Sequence, residues 1–300
     1  MKADDIRRIL VLGGGTMGQQ IAFYFAVHGC DIAVYDIDEG ILEKCLAGIR
    51  KMAGGLVKLQ LLAQEAADAA LGRILTTASA EEAAADADLV SESVPEDPEL
   101  KGRVFSRFHE LCPPRTIFTT NTSTLLPSMF AQSTGRPERF LAFHFHDLRT
   151  NVVVDIMPHS GTDPAVVQTV QDFAKRMGLI AIRMNRESSG YVFNAMLGAL
   201  MLSAQALVAN GVASVEDVDR SWMGVTHMPM GPFGIMDSVG LDTVWKITDY
   251  WARKTKDPQQ RKNADFLKGM VDRGHLGRKS GRGFYEYPGP RYRKPGFVSG

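Results

Sequence analysis

The sequence predicts an α/β fold, in which a doubly wound, mostly parallel sheet is followed by an all-helical C-terminal domain. From residue 8 to about 185, short apolar runs alternate with helix-like segments, which is the pattern of βαβ units. Several runs are continuously apolar, as strands covered by helices on both faces should be. After about Ser188, helical periodicity replaces this alternation.

Seven runs are the predicted strands of the sheet. They cover residues 8–12, 31–35, 88–91, 116–119, 140–145, 152–156 and 179–183. A chain of 300 residues is long for a single domain, so we expect two. We place the boundary in the segment that follows the last strand, giving an α/β domain over residues 1–187 and a helical domain over residues 188–300.

Four helices and one short strand are predicted in the second half. The first helix covers residues 190–210, and the second opens at a capping box formed by Ser214 and Asp217. The dipeptides Gly231-Pro232 and Asp257-Pro258 open the other two, the last ending near Gly274. Residues 283–287 (GFYEY) carry a strand signal.

Composition argues against several classes of protein. The 34 basic and 34 acidic residues cancel, so the surplus of positive charge typical of nucleic-acid binders is missing. With 45% hydrophobic residues the chain is not a disordered acidic one. Three scattered cysteines fit neither a disulfide framework nor a zinc cluster, and predict a reducing, cytoplasmic setting. No targeting segment and no membrane-spanning run is visible, so we expect no membrane partner.

A glycine-rich loop follows the first predicted strand and opens a helix. Residues 13–18 read Gly13-Gly14-Gly15-Thr16-Met17-Gly18, which matches the G-x-G-x-x-G pattern. In a Rossmann-type fold, Gly13 would allow the tight turn, Gly15 would let a pyrophosphate approach the backbone, and Gly18 would let the helix pack on the strand. The N–H groups at the start of the helix, at Thr16 and Met17, would face the phosphates.

Asp36 directly follows the second predicted strand and lies 18 residues after Gly18, near the spacing of about 20 at which an acidic residue binds the adenosine ribose hydroxyls. Its carboxylate would repel a 2′-phosphate, and no arginine follows to accept one. The sequence therefore predicts NAD as the cofactor. The competing interpretation is a glycine turn beside a surface aspartate.

The segment 143–147 (FHFHD) ends a predicted strand and carries candidates for proton transfer. Alternation places His144 and His146 on one face of that strand. Asp155 lies in an otherwise apolar strand, where a lone acid is costly unless paired. We expect it to pair with a histidine and favour the protonated imidazole. The alternatives are a structural histidine, or a metal site, for which no further ligand has convincing spacing; we expect no metal.

Two more polar residues are candidates for holding a substrate oxygen. Ser123 lies in a loop that follows a predicted strand at the edge where such folds bind ligands, although it also suits a helix N-cap. Asn194 lies within the apolar helix predicted over residues 190–210 and needs partners if buried. It is either a contact between domains or a site residue.

Together these motifs resemble the L-3-hydroxyacyl-CoA dehydrogenase family, and the resemblance covers nearly the whole chain. The motifs are, in order, GGGTMG, Asp36, the segment from Glu96 to Lys101, NTST (residues 121–124), HFHDL (144–148), Asp155, SGYVFNA (189–195), PMGPF (229–233) and KSGRGFY (279–285).

The resemblance implies an NAD-dependent enzyme of fatty-acid metabolism that acts on an acyl-CoA thioester. His144 would take the proton from the substrate's 3-hydroxyl while hydride passes to the nicotinamide. Asp155 would stand where the family has a glutamate, and Ser123 with Asn194 would hold the substrate oxygen. The helical domain would close over the thioester and form a homodimer. Cofactor contacts are implied for Glu96, Lys101, Asn121, Asp147 and Lys279.

The sequence departs from the family pattern at points that bear on the substrate. HFHDL replaces the family's H-F-F-N-P, and Ser189 and Ala195 replace a proline and an arginine. The region where the family contacts CoA aligns poorly, with Lys51 and Lys58 as the residues that could bind an acyl-CoA phosphate. Two other functions therefore stay open. One is a dehydrogenase of the same fold for a non-CoA 3-hydroxy acid or related alcohol, and the other is a non-catalytic NAD(H)-binding protein.

Overall fold

The computed structural model describes residues 1–299, which divide into two compact units, Met1–Val192 and a second unit that begins at Phe193. The first unit contains eight strands and six helices. The strands are β1 (Arg8–Leu12), β2 (Asp31–Tyr35), β3 (Ile74–Thr77), β4 (Leu89–Glu92), β5 (Ile117–Thr120), β6 (Phe140–Phe145), β7 (Val153–Pro158) and β8 (Ile180–Arg183). The helices are α1 (Thr16–Val27), α2 (Glu39–Lys58), α3 (Gln64–Leu71), α4 (Ala80–Ala84), α5 (Pro98–Leu111) and α6 (Pro164–Arg176).

All eight strands form one sheet in the order β3-β2-β1-β4-β5-β6-β7-β8. Every neighbouring pair is parallel except β6 and β7, which are antiparallel. Ile9 and Val11 belong to one buried apolar cluster and Leu10 and Leu12 to another, because successive residues of a strand point to opposite faces. The sheet is therefore covered on both faces, and the predicted doubly wound fold is confirmed.

The seven predicted strands are all present, within two residues at each end, but β3 was not predicted. This strand has four residues at the edge of the sheet, and none of its first three side chains is fully buried. An edge strand that contacts little core lacks the apolar run that marks a central strand.

The order of the strands changes direction at β1: β2 and β3 lie on one side of it, and β4, the next strand in sequence, lies on the other side, next to β1. In such folds a crevice opens at this point, beyond the carboxyl ends of the strands. The end of β1 and the loop after β4 are in contact there, since the Ser93 N–H donates to the Leu12 carbonyl at 2.7 Å.

The second unit contains five helices: α7 (Phe193–Ala209), α8 (Val215–Thr226), α9 (Pro232–Val239), α10 (Leu241–Thr255) and α11 (Pro258–Val271). At the start of α8 the N-cap half of the predicted capping box is formed, with the Ser214 hydroxyl accepting from the Asp217 N–H, while the Asp217 carboxylate accepts from the Ser214 hydroxyl instead of from its backbone N–H. No helix within residues 1–299 has both the length and the apolar character needed to cross a bilayer.

Three predictions for the second half are corrected. The helix predicted over residues 190–210 begins only at Phe193, because Gly190 and Tyr191 have positive φ angles of 81° and 54°. A break at Gly240, with φ 101°, divides the region before Asp257 into α9 and α10. Residues 283–287 form no strand, since the backbone N–H groups of Phe284 and Tyr285 bind a buried carboxylate instead.

Candidate active site

The glycine loop has the geometry that its sequence predicts. Gly13 has φ 101°, and a Cβ atom there would lie 2.8 Å from the Ser93 carbonyl oxygen. A Cβ on Gly18 would lie 1.9 Å from the Gly13 carbonyl oxygen, so only glycine lets α1 pack this close to the end of β1. At Gly15 the same test finds no atom of the described chain within 4 Å. Gly13 and Gly18 are therefore in close contact with neighbouring backbone, whereas the space beside Gly15 is free for a ligand.

Helix α1 starts directly at this opening. Its N-cap residue is Gly15, with no side-chain cap, and its first turn contains no acidic residue. The positive end of the helix is thus available to an anion. The Asp36 carboxylate lies beside it, accepting from the Gly14 N–H at 2.9 Å. Gly13 to Gly18 and Asp36 are therefore brought together as the sequence predicts, in a form that suits a dinucleotide.

His144 and Asp155 lie opposite each other in the antiparallel pair β6–β7. His144 Nδ1 is 3.0 Å from Asp155 Oδ2, and both side chains are buried. His146, two residues on and therefore on the same face, places Nε2 3.3 Å from the same carboxylate oxygen. The predicted imidazole–carboxylate pair exists, and a second imidazole shares its carboxylate.

The electrostatics of this group favour a charged carboxylate. Burial by itself would raise the pKa of Asp155, but the hydrogen bonds and charges of His144 and His146 outweigh it and hold the pKa below its usual value. Because Nδ1 of His144 is occupied by the carboxylate, Nε2 is the nitrogen left for a substrate proton. The arrangement is that of a general base with an orienting acid.

The same three side chains are the one group in residues 1–299 whose ligand atoms lie close enough together, within 4.8 Å, to hold a metal ion. Their mutual contacts are direct imidazole–carboxylate contacts, which a proton-transfer site also requires. The absence of a metal stays a prediction.

Tyr191 covers the imidazole of His144 and was not predicted as a site residue. The two ring centroids are 4.7 Å apart at an angle of 37°. The phenol is buried, which raises its pKa, and the carboxylates of Glu96, Asp155, Glu92 and Glu187 act in the same direction. Its hydroxyl makes no hydrogen bond to any other described residue. Its position depends on a left-handed backbone conformation between β8 and α7. A tyrosine in the sequence does not indicate such a conformation.

The loop that carries Ser123 is held in place by Glu96. The Glu96 carboxylate accepts hydrogen bonds from the hydroxyls of Thr122 and Thr124, the second at 2.8 Å. Ser123, between the two threonines, is half-buried and does not begin a helix, so the N-cap interpretation is wrong. Burial opposes ionisation of Glu96, but these bonds and Lys101 outweigh it and lower its pKa.

Lys101 lies beneath this loop rather than on its surface. Its ammonium is 2.6 Å from Glu92 Oε1 and 3.3 Å from Glu96 Oε2, and its side chain is only 1% exposed. Glu92, at the end of β4, is itself fully buried. Lys101 therefore positions Glu96, and a direct cofactor contact by Lys101 stays a prediction.

The end of β6 is anchored by two amides. Asn121 Oδ1 accepts from the Phe145 N–H at 2.8 Å, and Gln20 of α1, which was not predicted, accepts from the Leu148 N–H at 2.9 Å. Asp147 lies between these anchors and forms two bonds to the Arg149 guanidinium, which lower the pKa of Asp147. Asn121 and Asp147 thus shape the segment that carries His144 and His146.

Two predicted site residues, Asn194 and Lys279, belong to the second unit. Asn194 lies in the first turn of α7 and is half-buried, so it is not the fully buried amide considered above. The Lys279 ammonium forms an ion pair with Asp242 at the start of α10. Their roles toward cofactor and substrate stay predictions.

The PMGPF and KSGRGFY segments have structural partners in two buried aspartates. Asp219 of α8 accepts from the backbone N–H groups of Phe233 and Gly234 at 2.8 and 3.0 Å, and from the Tyr285 hydroxyl at 2.9 Å. Asp237 accepts from the N–H groups of Phe284 and Tyr285. Burial raises the pKa of Asp219 to about 6 against these bonds. The two motifs are therefore joined to helices of the second unit through these two carboxylates.

Family models match both units of the chain. The model described as "3-hydroxyacyl-CoA dehydrogenase, NAD binding domain" matches residues 8–188, and the one described as "3-hydroxyacyl-CoA dehydrogenase, C-terminal domain" matches residues 190–287. Together the matched ranges include the glycine loop, the His144–Asp155 pair and the two buried aspartates, Asp219 and Asp237.

Individual proteins are similar over almost the full chain. A 3-hydroxybutyryl-CoA dehydrogenase of Mycobacterium tuberculosis is 33% identical, over 95% of this chain and 100% of its own. The human mitochondrial hydroxyacyl-coenzyme A dehydrogenase is 31% identical, over 94% of this chain and 91% of its own. A solved structure of a diketoreductase acting on dicarbonyl compounds superposes with a TM-score of 0.86 and 39% identity, over 94% of this chain and 99% of that one.

Proposed function

Because this chain belongs to the 3-hydroxyacyl-CoA dehydrogenase family, we propose that it interconverts an L-3-hydroxyacyl-CoA and the corresponding 3-ketoacyl-CoA with NAD as hydride carrier. The observation that carries the proposal is the buried His144–Asp155 pair at the carboxyl edge of the cofactor-binding sheet. A dinucleotide-binding protein without chemistry would not need a desolvated carboxylate aimed at an imidazole.

The chain's own residues supply binding and proton transfer. NAD, when bound, accepts or returns the hydride. The open backbone at Gly15 with Thr16 and Met17 would receive its pyrophosphate, and Asp36 its adenosine ribose. In the oxidative direction, Nε2 of His144 takes the proton of the 3-hydroxyl, and Asp155 stabilises the imidazolium that forms.

The roles of the remaining residues follow from their positions. Ser123 and Asn194 would hold the substrate oxygen and stabilise its charge as the carbonyl forms. Glu96, Asn121, Asp147 and Lys279 would contact the cofactor, with Lys101 setting the position of Glu96. On this proposal the physiological context is fatty-acid or butanoate-type metabolism.

A second candidate function is reduction of a dicarbonyl compound that carries no CoA. Two observations favour it: the 39% identity to a diketoreductase, and the departures from the family pattern where the family contacts CoA. The basic residues that could bind a CoA phosphate are Lys51 and Lys58. Both are exposed on α2 and lie seven positions apart.

The experiment that separates these functions follows NADH oxidation with three substrates side by side: acetoacetyl-CoA, free acetoacetate and a longer 3-ketoacyl-CoA. We expect kcat/KM for acetoacetyl-CoA to exceed that for acetoacetate by at least about 100-fold, because the remote CoA moiety contributes binding energy to the transition state. Comparable values would favour the diketoreductase-like function, and no turnover with any of them would favour a non-catalytic NAD(H)-binding protein.

The control for this assay is His144→Ala, which removes the base and leaves the glycine loop intact. We expect kcat to fall by about 100-fold or more, within the range of general acid–base catalysis. NADH binding, followed by fluorescence titration, should stay within about twofold. An equal loss of NADH affinity would contradict the role given to His144.

We further propose a homodimer formed through the helical unit. Helix α10 carries three exposed apolar side chains: Ile247 and Tyr250 are 53% and 57% exposed, and the ring of Trp251 lies 5.4 Å from that of Tyr250. Patches of this kind mark contact surfaces. Sedimentation velocity should give twice the mass of one chain, and Ile247→Glu with Tyr250→Glu should give monomers; a monomeric wild type would contradict the proposal.

Cysteine usage supports a reducing, cytoplasmic location. All three cysteines are free and buried, and burial raises the pKa of each thiol, for Cys30 and Cys45 to about 11. Such thiols are inert and form no stabilising cross-link. Cell fractionation with a tagged chain should recover it in the cytoplasmic fraction, and recovery in another compartment would contradict this.

A further inference from the structure

The His144–Asp155 pair has a third member that the mechanism above does not use. His146 Nε2 is 3.3 Å from the same Asp155 oxygen that faces His144 Nδ1 at 3.0 Å. The two imidazole centroids are only 4.7 Å apart. The carboxylate is 1% exposed, so water does little to screen either contact.

We propose that His146 is a positioning residue that shares the Asp155 carboxylate and thereby weakens the hold of Asp155 on the protonated form of His144. This inference rests on the proposed function, because it concerns the same proton-transfer site. Its effect is to keep His144 in its neutral, proton-accepting form at lower pH than a simple histidine–aspartate pair would.

Two physical effects act in this direction. A neutral His146 that donates its Nε2–H to Oδ2 takes up part of the negative charge that would otherwise stabilise an imidazolium at position 144. A protonated His146 would place a second positive charge beside His144, and two such groups cannot both be protonated without repulsion. In either protonation state, His146 makes the first proton harder for His144 to retain.

The other ionisable groups around this site are common to wild type and variants. They influence where the pH–rate profile lies, but not how it moves when only residue 146 changes. On β4 and the adjoining loop and helix they are Glu92, Glu96 and Lys101; after β6 they are Asp147 and Arg149; on β8 and the segment that follows they are Arg183, Arg186, Glu187 and Tyr191.

The first experiment needs no turnover and uses the full chain. Imidazole resonances of His144 and His146, assigned with single histidine variants, are followed against pH by NMR in wild type and in His146→Phe. We expect the His144 titration to move to higher pH by about half to one unit in His146→Phe, a three- to tenfold gain in proton affinity. An unchanged or lower midpoint would overturn the proposal.

The second experiment measures the acidic limb of the pH–rate profile for 3-hydroxyacyl-CoA oxidation. His146→Phe should move this limb upward by the same amount, with KM changed less than about twofold. His146→Gln, whose amide can still donate to the carboxylate, should lie between His146→Phe and wild type. His28→Gln, at the exposed end of α1, is the control and should leave the profile in place.

The two readouts separate the possible failures. If no substrate is turned over but the NMR midpoint shifts as expected, the proposed function fails and the sharing of Asp155 stands. If turnover is normal and neither readout moves in His146→Phe, the proposal for His146 fails. Should His146→Phe not fold, as judged by circular dichroism, His146→Gln must still raise both midpoints, and an unchanged midpoint there overturns the proposal.

Discussion

His144 and Asp155 are directly paired residues of the two antiparallel strands β6 and β7, and this register brings Nδ1 of the imidazole to 3.0 Å from the carboxylate. β6–β7 is the one antiparallel pair in an otherwise parallel sheet. Because directly opposed side chains of an antiparallel pair share one face, the strand register alone places the Asp155 carboxylate beside the His144 imidazole.

Replacing Asp155 with Asn should test this pairing. The amide keeps the size of the side chain but cannot compensate an imidazolium, so kcat should fall by about 10- to 100-fold, equivalent to about 1.4–2.7 kcal/mol. The acidic limb of the pH–rate profile should move to lower pH, because the protonated imidazole loses its counter-charge. An unmoved limb would show that Asp155 does not act on the base.

Removing the Asp36 carboxylate should change cofactor choice. Asp36→Ala loses an ionised hydrogen-bond acceptor worth about 1.5–3 kcal/mol, so NADH affinity should fall by about 10- to 100-fold. Affinity for NADPH should fall less or rise, because the repulsion of a 2′-phosphate is removed. Fluorescence titration with both cofactors measures this, with Asp38→Ala, at the N-cap of α2, as the control. Equal losses for the two cofactors would mean that the ribose is recognised elsewhere.

Lys101→Met should act first on stability. It leaves the buried Glu92 carboxylate without its ion-pair partner, which costs about 3–5 kcal/mol of the free energy of unfolding. Glu92→Leu combined with Lys101→Met should recover most of this loss, and urea denaturation of both variants measures it. If NADH affinity stays low in the stable double variant, Lys101 contributes to cofactor binding, through its hold on Glu96 or by direct contact.

Tyr191→Phe should stabilise the protein or leave it unchanged. The hydroxyl is buried without a hydrogen bond within the described chain, so its removal should raise the free energy of unfolding by about 1 kcal/mol, while the ring still covers His144. Tyr191→Leu, which removes the ring, should destabilise. Thermal denaturation distinguishes these outcomes, and a destabilised Tyr191→Phe would reveal a partner for the hydroxyl.

The stability of the helical unit should depend on the ionisation of Asp219. Its pKa is raised to about 6 in the folded chain, above the value of 3.8 for an exposed aspartate, so folding favours the protonated form. Stability therefore falls as pH rises from about 4 to 6, by roughly 3 kcal/mol for a shift of about two units. Compared with wild type by urea denaturation at pH 4 and pH 7, Asp219→Asn should lose this decrease; an identical decrease in both would contradict it.

Sequence reasoning succeeded where local pattern decides structure. Continuous apolar runs located seven strands, the spacing of Gly13 to Gly18 located the tight loop between β1 and α1, and alternation placed His144 and His146 on one face. It failed where a contact with a residue distant in sequence determines the local structure. Residues 283–287 have the composition of a strand, yet their N–H groups are taken by Asp237, and nothing local marks that contact.

The unpredicted members of the site show the same limit. Tyr191 reaches His144 because two consecutive left-handed residues turn the chain before α7, and Gln20 reaches Leu148 across the sheet from a helix 128 residues earlier. Only the folded chain brings such partners together.

The bond from Tyr285 to Asp219 joins residues 66 positions apart, and Asp219 also holds the start of α9. During synthesis, α8 and α9 are made long before the segment that completes their shared carboxylate cluster. The helical unit therefore has a late assembly step. Until the segment that carries Tyr285 has been synthesised, the apolar faces of its helices are incompletely covered and can associate with other chains.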